Sequence, residues 1–421
     1  MTAALSLGDV DLTDPGIYEQ PDGGFAVWSL LQREAPVFWN RCADRPGFWA
    51  LTKHRDAFAV YQDKESFTSE RGMQVAQDEA AARAAAGRML IVTDLPRHRE
   101  LRQVLADAFT QTAVRRLEVQ MRSIVSDALD EVADEDEFDF VVAVASPLPM
   151  SVICALLGVP RSDWQLMVGW TRTAFGSVAG RDGRAPVTEA EKAEANANIF
   201  FYYRELLRER RRRLGDDLVS MLARGRIRGE PLTDGEILLN IQGLITGGNE
   251  TTRHASAGAA IALAENPDEW RRLQRSPALV KTAVEEVLRW TAPSIHVMRT
   301  ALREVVVGGQ LIRTGEQVTI WNPAVNRDED EFPQANRFDV GRTPNRHLTF
   351  GVGHHFCIGA SLARIELRLL LEELLARVET IELAGPVRRL RSTTMWGVDR
   401  VPVRLEPIGR SRPSKLAAAR A

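Results

Sequence analysis

One short segment around a single cysteine limits what this chain can fold into more than any other part of the sequence. It reads Phe-Gly-Val-Gly-His-His-Phe-Cys-Ile-Gly over residues 350–359. Its glycines, Gly351, Gly353 and Gly359, allow tight backbone turns and the close approach of a flat ligand. A helix beginning directly after this loop would point the positive end of its dipole at Cys357, which favours a thiolate. The segment therefore predicts a loop in which Cys357 can ligate iron.

The other cysteines and the composition indicate the compartment. Cys42 and Cys154 complete a set of three widely separated cysteines, which does not form a disulfide framework and fits a reducing environment. The first residues lack the basic region of a signal peptide, and no run of eighteen apolar residues occurs that could anchor the chain in a membrane. A formal net charge of −3 argues against a nucleic-acid partner. We therefore expect a cytoplasmic protein without a membrane anchor.

Helical periodicity dominates the chain and strand signals are short, so the sequence predicts a mainly α fold with small antiparallel β-sheets. Helices are predicted at about 189–213, 233–264, 277–290 and 359–375, and strands at 48–52, 304–307, 311–313 and 317–320, the last three as one antiparallel meander. With no internal repeat or linker visible, we expect an N-terminal segment at 1–24, one domain at 25–408 and a flexible basic tail at 409–421.

The predicted helix at 233–264 contains two adjacent glycines near its middle, in the sequence Gly-Gly-Asn-Glu-Thr-Thr at 247–252. Each glycine inside a helix costs roughly 1 kcal/mol relative to alanine, so the pair calls for a reason. Close packing of another element is one explanation. A local opening of the helix that makes room for a small ligand is the other. Glu250 and Thr251 lie directly beside the glycines.

Two further charged motifs stand at helical spacing. His98 and Arg102 are four residues apart and could hold a carboxylate together, although a solvated basic face has the same spacing. Glu286 and Arg289 are three residues apart. On its own this second pair is best explained as a surface ion pair, worth a few tenths of a kcal/mol.

Taken in chain order, these motifs resemble those of cytochromes P450. The cysteine segment matches the family pattern Phe-x-x-Gly-x-x-x-Cys-x-Gly at every fixed position, and the likeness covers roughly residues 25–405. It implies the cytochrome P450 fold, a triangular prism with haem between the long central helix and the helix after the cysteine loop. Cys357 would be the axial ligand of a non-covalently held haem b, and Phe350, Gly351 and Gly359 would contact that cofactor.

The resemblance also suggests roles for the other motifs. Thr251 matches the alcohol that hydrogen-bonds iron-bound oxygen and Glu250 the acid of the proton path, with Thr252 a weaker candidate. The side chains expected to bind the haem propionates are His98, Arg102, Arg299 and His355. The residues expected to be structural are Glu286, Arg289 and their partner Arg337. His354 is expected at the surface, and no role is assigned to His254 or His347.

The resemblance implies a haem-thiolate monooxygenase that activates O2 with two electrons, drawn ultimately from NAD(P)H. Because few residues follow Cys357, the electrons are expected from a separate ferredoxin or flavodoxin and its reductase. Four arginines resemble the basic patch that docks such acidic proteins, although a solvated helix surface explains them equally well: Arg97, Arg99, Arg364 and Arg368. Three alternatives are a peroxide-driven enzyme, a nitric-oxide-reducing relative and a non-catalytic haem-binding protein. The acid and alcohol at 250–251 count against them.

Family geometry also places a set of residues near the distal pocket, where substrate would bind: Met89, Leu90, Val92, Gly243, Thr246, Gly247, Ile295, His296, Met395 and Trp396. Most of this set is apolar, which predicts a small-to-medium hydrophobic substrate in secondary metabolism or catabolism. Within it, His296 and Thr246 could each exchange a hydrogen bond with the substrate.

Overall fold

Long helices make up most of the protein, and the prediction of a mainly α fold is confirmed. The computed structural model describes residues 5–20, 22, 24–75, 77–175 and 187–409. The first four residues of the predicted N-terminal segment, and the predicted basic tail beyond Gly409, lie outside the described residues.

The α-helices of the described residues are α1 (Gly16–Glu19), α2 (Phe25–Glu34), α3 (His54–Gln62), α4 (Glu79–Ala85), α5 (Arg97–Ala106), α6 (Gln111–Glu131), α7 (Pro147–Leu157), α8 (Trp164–Phe175), α9 (Glu189–Arg212), α10 (Leu218–Arg224), α11 (Asp234–Glu265), α12 (Pro267–Arg275), α13 (Val280–Thr291), α14 (Asn322–Val325) and α15 (Ala360–Arg377). The four helices predicted from the sequence correspond to α9, α11, α13 and α15, with ends within a few residues of those expected.

Helix α11 is the central element. It begins at a capping box in which the Thr233 hydroxyl accepts from the Glu236 N–H and the Glu236 carboxylate accepts from the Thr233 N–H. It ends at Asn266, before the proline that starts α12. Helices α7, α9, α13 and α15 pack against it, and α15 also packs against α6 and α13. The helix that follows the cysteine loop therefore lies against the helix with the paired glycines.

The strands are β1 (Val37–Asn40), β2 (Phe48–Leu51), β3 (Phe67–Thr68), β4 (Phe138–Asp139), β5 (Arg226–Ile227), β6 (Glu230–Pro231), β7 (His296–Ala301), β8 (Val305–Val307), β9 (Gln310–Ile312), β10 (Gln317–Trp321), β11 (Val378–Leu383), β12 (Arg388–Arg389), β13 (Val398–Arg400) and β14 (Pro402–Pro407). The main sheet has the order β1-β2-β10-β7-β3, and its β2–β10 pair is parallel.

The predicted meander at 304–320 is only half right. Strands β8 and β9 do form an antiparallel hairpin, but β10 leaves it and lies between β2 and β7 in the main sheet. Four of its five residues, from Val318 onward, are buried. Such a run suits a central strand covered on both faces, whereas an edge hairpin would expose alternate residues.

The N-terminal segment packs onto the domain, so the predicted boundary at residue 24 does not separate two bodies. Tyr18 is fully buried, its ring lies 6.0 Å from that of Trp321, and its hydroxyl donates to the Leu12 carbonyl. Residues on both sides of the expected boundary thus share one aromatic core.

Candidate active site

The cysteine loop is closed by its own backbone. The N–H of Cys357 donates to the carbonyl of Phe350 at 2.9 Å, which brings the two ends of the motif together. Gly351 and Gly353 adopt φ values of 64° and 76°, the left-handed region that glycine tolerates best. A Cβ at Gly353 would also lie 3.0 Å from the carbonyl oxygen of Tyr61 in α3. The glycine pattern thus reflects a tight turn pressed against α3.

The Cys357 side chain is exposed, although atoms of the loop and of neighbouring helices crowd around it. This crowding raises the pKa of the thiol, while a hydrogen bond from the Gly359 backbone and the charges of Arg102 and Arg364 oppose the rise. The two guanidinium groups therefore favour the thiolate at this position. The buried Cys154 differs, because burial and the charge of Asp163 raise the pKa of its thiol to about 12.

Two of the predicted propionate ligands lie side by side. The rings of His98 and His355 are 4.4 Å apart, and the His98 ring is 5.2 Å from that of His354. Burial lowers the pKa of His98 to about 3 and that of His355 to about 4, so both rings are neutral near pH 7. His355 contacts the Ser69 hydroxyl at 3.1 Å. The buried Nε2 of His98 has no hydrogen-bond partner among the described residues, so it is placed to bind an added group.

His354 joins this histidine group and is half-buried, which corrects the prediction that it lies at the surface. The ring is 4.4 Å from that of its neighbour His355. The physical reason is the 3₁₀ turn at Gly353–His355, which holds the loop against α3 and turns both rings inward toward α5.

Two of the predicted cationic ligands complete the arrangement. Arg299 is 4% exposed and donates to the Met298 carbonyl at 2.8 Å. Arg102 is half-buried and close enough for its charge to act on Cys357. Among the residues that the structure describes, neither guanidinium lies within 4.0 Å of a carboxylate. Burying cations without a counter-charge is costly, so this region is suited to an anionic group supplied from outside the chain.

The paired glycines of α11 differ in their surroundings. A Cβ at Gly248 would lie 2.7 Å from Ile153 in α7, whereas a Cβ at Gly247 would meet nothing within 4 Å. Close packing therefore accounts for Gly248, and Gly247 borders open space. The helix stays continuous through both residues, so the predicted local opening does not interrupt it. The Thr251 hydroxyl donates to the Gly247 carbonyl at 2.6 Å.

Glu250 lies in a buried polar cluster on the same helix. Its carboxylate pairs with Arg253 and lies 3.5 Å from Nε2 of His254, and the Asn249 amide donates to it at 3.3 Å. The Glu250, Arg253 and His254 side chains are 8%, 4% and 0% exposed. Arg253 and His254 have no role in the motifs predicted from sequence, although their i,i+3 and i,i+4 spacing from Glu250 is a signal for this cluster.

Glu286 and Arg289 form a fully buried, bidentate ion pair, so the simpler explanation of a surface pair is wrong. The prediction that Arg337 is their side-chain partner is also wrong. That side chain is 60% exposed, and only its carbonyl accepts from Arg289. The side chain that reaches Glu286 is Arg342, at 3.1 Å and 9% exposed. The chain turns back between residues 337 and 342. Arg342, five residues after the predicted Arg337, is therefore the arginine that points inward.

The predicted basic patch is largely neutralised. Arg364 pairs with Glu285 at 2.7 Å, Arg368 pairs with Glu118 at 2.7 Å, and Arg97 pairs with Glu236. Burial by itself would raise the pKa of the Glu285 carboxyl, but His347 and Arg364 outweigh it and lower this pKa to about 2. His347, which had no predicted role, is therefore a partner of this ion pair. Of the four arginines only Arg99 is classed as exposed.

Some of the residues predicted near the distal pocket lie together, whereas others are engaged elsewhere in the fold. Met89 and Gly243 meet, since a Cβ at Gly243 would lie 2.8 Å from the Met89 methyl group, and Leu90 follows on the same segment. The prediction that His296 hydrogen-bonds a substrate is wrong. The Val75 N–H donates to its Nε2, and its Nδ1 contacts the Thr393 carbonyl. Both nitrogens are engaged, so this side chain is not available to a substrate.

Ile295 and Trp396 also belong elsewhere, in the aromatic core that includes Trp28. The Trp396 ring packs 5.2 Å from that of Trp28 at 85°. Long-range packing from the N-terminal helices occupies these two side chains, which corrects their assignment to the substrate pocket. The Thr246 hydroxyl donates to the Gln242 carbonyl within its own helix.

Comparison with known proteins agrees with this site. A family model described as cytochrome P450 matches residues 187–396. The chain is 36% identical over 400 residues to cytochrome P450 NovI of Streptomyces niveus, covering 95% of this chain and 97% of that protein. It is 32% identical over 405 residues to linalool 8-monooxygenase of Pseudomonas putida, covering 94% and 99%.

Among solved structures, P450 OxyD, involved in the biosynthesis of vancomycin-type antibiotics, superposes with a TM-score of 0.86 at 38% identity, covering 94% of this chain and 100% of that one. The fold and site define an oxidoreductase of the monooxygenase class. The chain belongs to the cytochrome P450 family, which confirms the resemblance stated from its motifs.

The residues around Cys357 fit the haem that this family uses. The exposed Cys357 residue offers an iron ligand. Within the described part of the chain, the buried His98 Nε2 has no partner and the Arg102 and Arg299 guanidinium groups have no carboxylate, so they offer donors for two propionates. None of the described helices is long and apolar enough to cross a membrane.

Proposed function

We propose that this protein is a haem-thiolate monooxygenase in which Cys357 is the axial ligand of haem b. The observation that carries the proposal is the cysteine loop itself, closed by the Cys357-to-Phe350 hydrogen bond and placed within the electrostatic influence of Arg102 and Arg364. Both guanidinium groups stabilise negative charge on the sulfur. His98, Arg102, Arg299 and His355 would hold the propionates.

Haem bound here supplies the iron that activates O2 and oxidises the substrate. The protein contributes the surroundings. The Thr251 hydroxyl already donates its proton to the Gly247 carbonyl, so its oxygen is left as an acceptor beside the open space at Gly247. An acceptor there could take a hydrogen bond from a small protic group in that space and hold it in one orientation. Glu250 is the neighbouring acid, and such acid–alcohol pairs serve general acid catalysis.

The acid–alcohol pair of Glu250 and Thr251 favours an O2-dependent monooxygenase over the alternative functions. A peroxide-driven enzyme receives its oxygen already reduced and needs no acid to deliver protons, and a non-catalytic haem binder needs neither group. Burying the Glu250 carboxylate would be a cost without benefit in those proteins. We therefore favour turnover that depends on O2 and on two electrons.

Replacing Thr251 by alanine will uncouple turnover from product formation. Without the hydroxyl, reducing equivalents should appear as hydrogen peroxide, and product formed per NAD(P)H consumed should fall by roughly tenfold or more. Haem content and substrate binding should not change. Product and peroxide are measured in the same reaction.

A matched control is Thr171→Ala in α8, because that buried hydroxyl makes the same kind of bond to a carbonyl one helical turn earlier. The control variant should couple normally. If Thr251→Ala keeps the wild-type ratio, another group such as Thr252 delivers the protons and the assignment of Thr251 is wrong.

The electrons are proposed to come from NAD(P)H through a separate ferredoxin or flavodoxin and its reductase in the cytoplasm. Arg99 supports a docking surface on α5, since it is exposed and lies three residues before Arg102, whose charge acts on Cys357. Arg364 and Arg368 are tied to carboxylates and contribute less net charge there.

Charge reversal at Arg99 will therefore slow reduction by an acidic ferredoxin by roughly threefold or more at low salt, and the difference should shrink as ionic strength rises. The rate is followed by stopped-flow spectroscopy. Arg208→Glu on α9 is the control, because that arginine is also exposed but lies on a different helix, where it pairs with Glu205. Reduction that is indifferent to salt and to Arg99→Glu would remove this docking surface.

The substrate is proposed to be a small-to-medium hydrophobic molecule of secondary metabolism or catabolism. The candidates that remain for its pocket are Met89, Leu90, Val92, Gly243, Thr246, Gly247 and Met395. Two named relatives support this range, since one is a linalool 8-monooxygenase and one acts in the biosynthesis of vancomycin-type antibiotics. With His296 engaged elsewhere, the pocket has fewer polar groups than the sequence suggested.

A further inference from the structure

His254 stands out as a fully buried side chain for which the proposed function has no role. It lies one helical turn after Glu250 on α11, and its Nε2 is 3.5 Å from Oε2 of that carboxylate. Arg253 donates to the same carboxylate oxygen. A buried carboxylate needs partners of this kind, and these two side chains together provide them.

The environment of the ring determines which nitrogen carries the proton. The Val398 N–H points at Nδ1 at 3.3 Å, and a backbone N–H can only donate, so Nδ1 must accept. In the neutral ring the proton is then on Nε2, the atom that faces Glu250. The Arg253 guanidinium lies 3.3 Å from the same Nε2, and because both groups are donors, the carboxylate accepts from each.

The charges around the ring agree with a neutral histidine. Burial and the charge of Arg253 lower the pKa of His254, while Glu250 and Asp399 act in the opposite direction without overcoming them. Asp399 is itself paired with Arg388 at 2.6 Å. The ring thus keeps one proton and one acceptor nitrogen near pH 7, as the geometry requires.

The strand end that follows Trp396 clamps the ring from the side opposite Glu250. A Cβ at Gly397 would lie 2.5 Å from the imidazole, so only glycine permits this contact. Beyond the ring lies a cavity of roughly 190 Å³ whose other walls include Glu265, Arg389 and Trp396. His254 therefore contacts the Glu250 carboxylate and also lines this cavity, of which Glu250 is not a wall.

We propose that His254 is a positioning residue for Glu250. The His254 ring holds the Glu250 carboxylate through an Nε2–H hydrogen bond and separates that carboxylate from the cavity. This inference rests on the proposed function, in which Glu250 is the acid of the proton path. A carboxylate held from two sides keeps one orientation. Without His254 the carboxylate would keep Arg253 and the Asn249 amide as partners but would lose the imidazole donor and become exposed to cavity water.

The first test needs no turnover. In the haem-loaded protein labelled with ¹⁵N-histidine, NMR should find His254 with a protonated Nε2 and an unprotonated Nδ1, assigned by comparison with His254→Gln. Glu250→Gln should shift the Nε2 resonance, because the acceptor loses its charge. A proton on Nδ1, or a resonance that ignores Glu250→Gln, would overturn the inference without any measurement of turnover.

The second test uses three variants at the contact. His254→Phe keeps a ring but loses the donor, and product formed per NAD(P)H should fall about fivefold with an altered pH profile. His254→Gln keeps a donor and should restore most of the coupling. Gly397→Ala should resemble His254→Phe, because the new methyl group displaces the ring. Thr291→Val, in the wall of the same cavity, should couple like the wild type.

The outcomes separate this inference from the function on which it rests. If the wild type lacks the spectrum of thiolate ligation, the proposed function fails. If that spectrum is intact in His254→Phe and its coupling and pH profile equal those of the wild type, the positioning role fails while the proposed function stands. Equal losses in His254→Phe and His254→Gln would indicate a packing role and would also overturn the inference.

Discussion

Replacing Cys357 by alanine will abolish the strongly red-shifted Soret band that a thiolate-ligated haem shows in its reduced carbon monoxide complex. The sulfur at this position is the accessible one, and Arg102 and Arg364 stabilise its negative charge. A methyl group cannot replace a ligand that donates electron density to iron. We expect complete loss of the band, measured by absorption difference spectroscopy on the purified variant.

Cys154→Ala is the matched control. Cys154 is fully buried in the helical core, and burial raises the pKa of its thiol to about 12, so it cannot serve as a thiolate ligand near neutral pH. That variant should keep the band unchanged, with a small loss of stability from the missing sulfur atom. A normal thiolate spectrum from Cys357→Ala would show that another group ligates the iron, and the proposed function would lose its basis.

Replacing Arg342 by glutamine will lower the free energy of unfolding by about 3 kcal/mol, the magnitude expected when one partner of a buried ion pair is removed. Arg342 is 9% exposed and contacts both oxygens of Glu286, which is fully buried. Its other donors reach the carbonyls of Pro333, Gln334 and Arg337. All of these groups would lose a partner together.

Arg337→Gln provides the comparison, because the same substitution falls on the arginine that the motif suggested. Its side chain is 60% exposed and its nearest carboxylate is Glu269 at 3.8 Å, so the loss should stay below about 1 kcal/mol. Denaturant-induced unfolding of both haem-loaded variants measures the difference. Equal losses for the two variants would contradict the assignment of Arg342 as the partner of Glu286.

Several site residues could be predicted from sequence because their relations are local. The loop around Cys357 depends on glycine positions within ten residues, and the start of α11 depends on a capping box four residues long. His98 and Arg102 are placed on one helix face by their four-residue spacing, and Glu250 and Thr251 are adjacent in the sequence. Local spacing acts through backbone geometry that the surrounding fold changes little.

The misassigned residues depend on contacts between distant parts of the chain. Whether Arg337 or Arg342 reaches Glu286 is decided by a turn that packs against α13. His296 is engaged by the Val75 N–H and the Thr393 carbonyl, 221 and 97 residues away in sequence. Strand β10 lies beside β2, which precedes it by more than 250 residues. No window of sequence contains both members of such pairs.

The sequence by itself therefore determined the class of protein, the glycine pattern of the cysteine loop and the spacing of the basic residues, and it supplied Glu250 and Thr251 as candidates for the acid and alcohol. Tertiary structure alone decided which charges are already paired, as at Arg364 and Glu285, and which polar side chains are engaged, as at His296. It also decided that His254 and Glu250, one helical turn apart, are buried together. The physical reason is that burial and ion pairing depend on which surfaces meet in space, and those surfaces include segments far apart in the sequence.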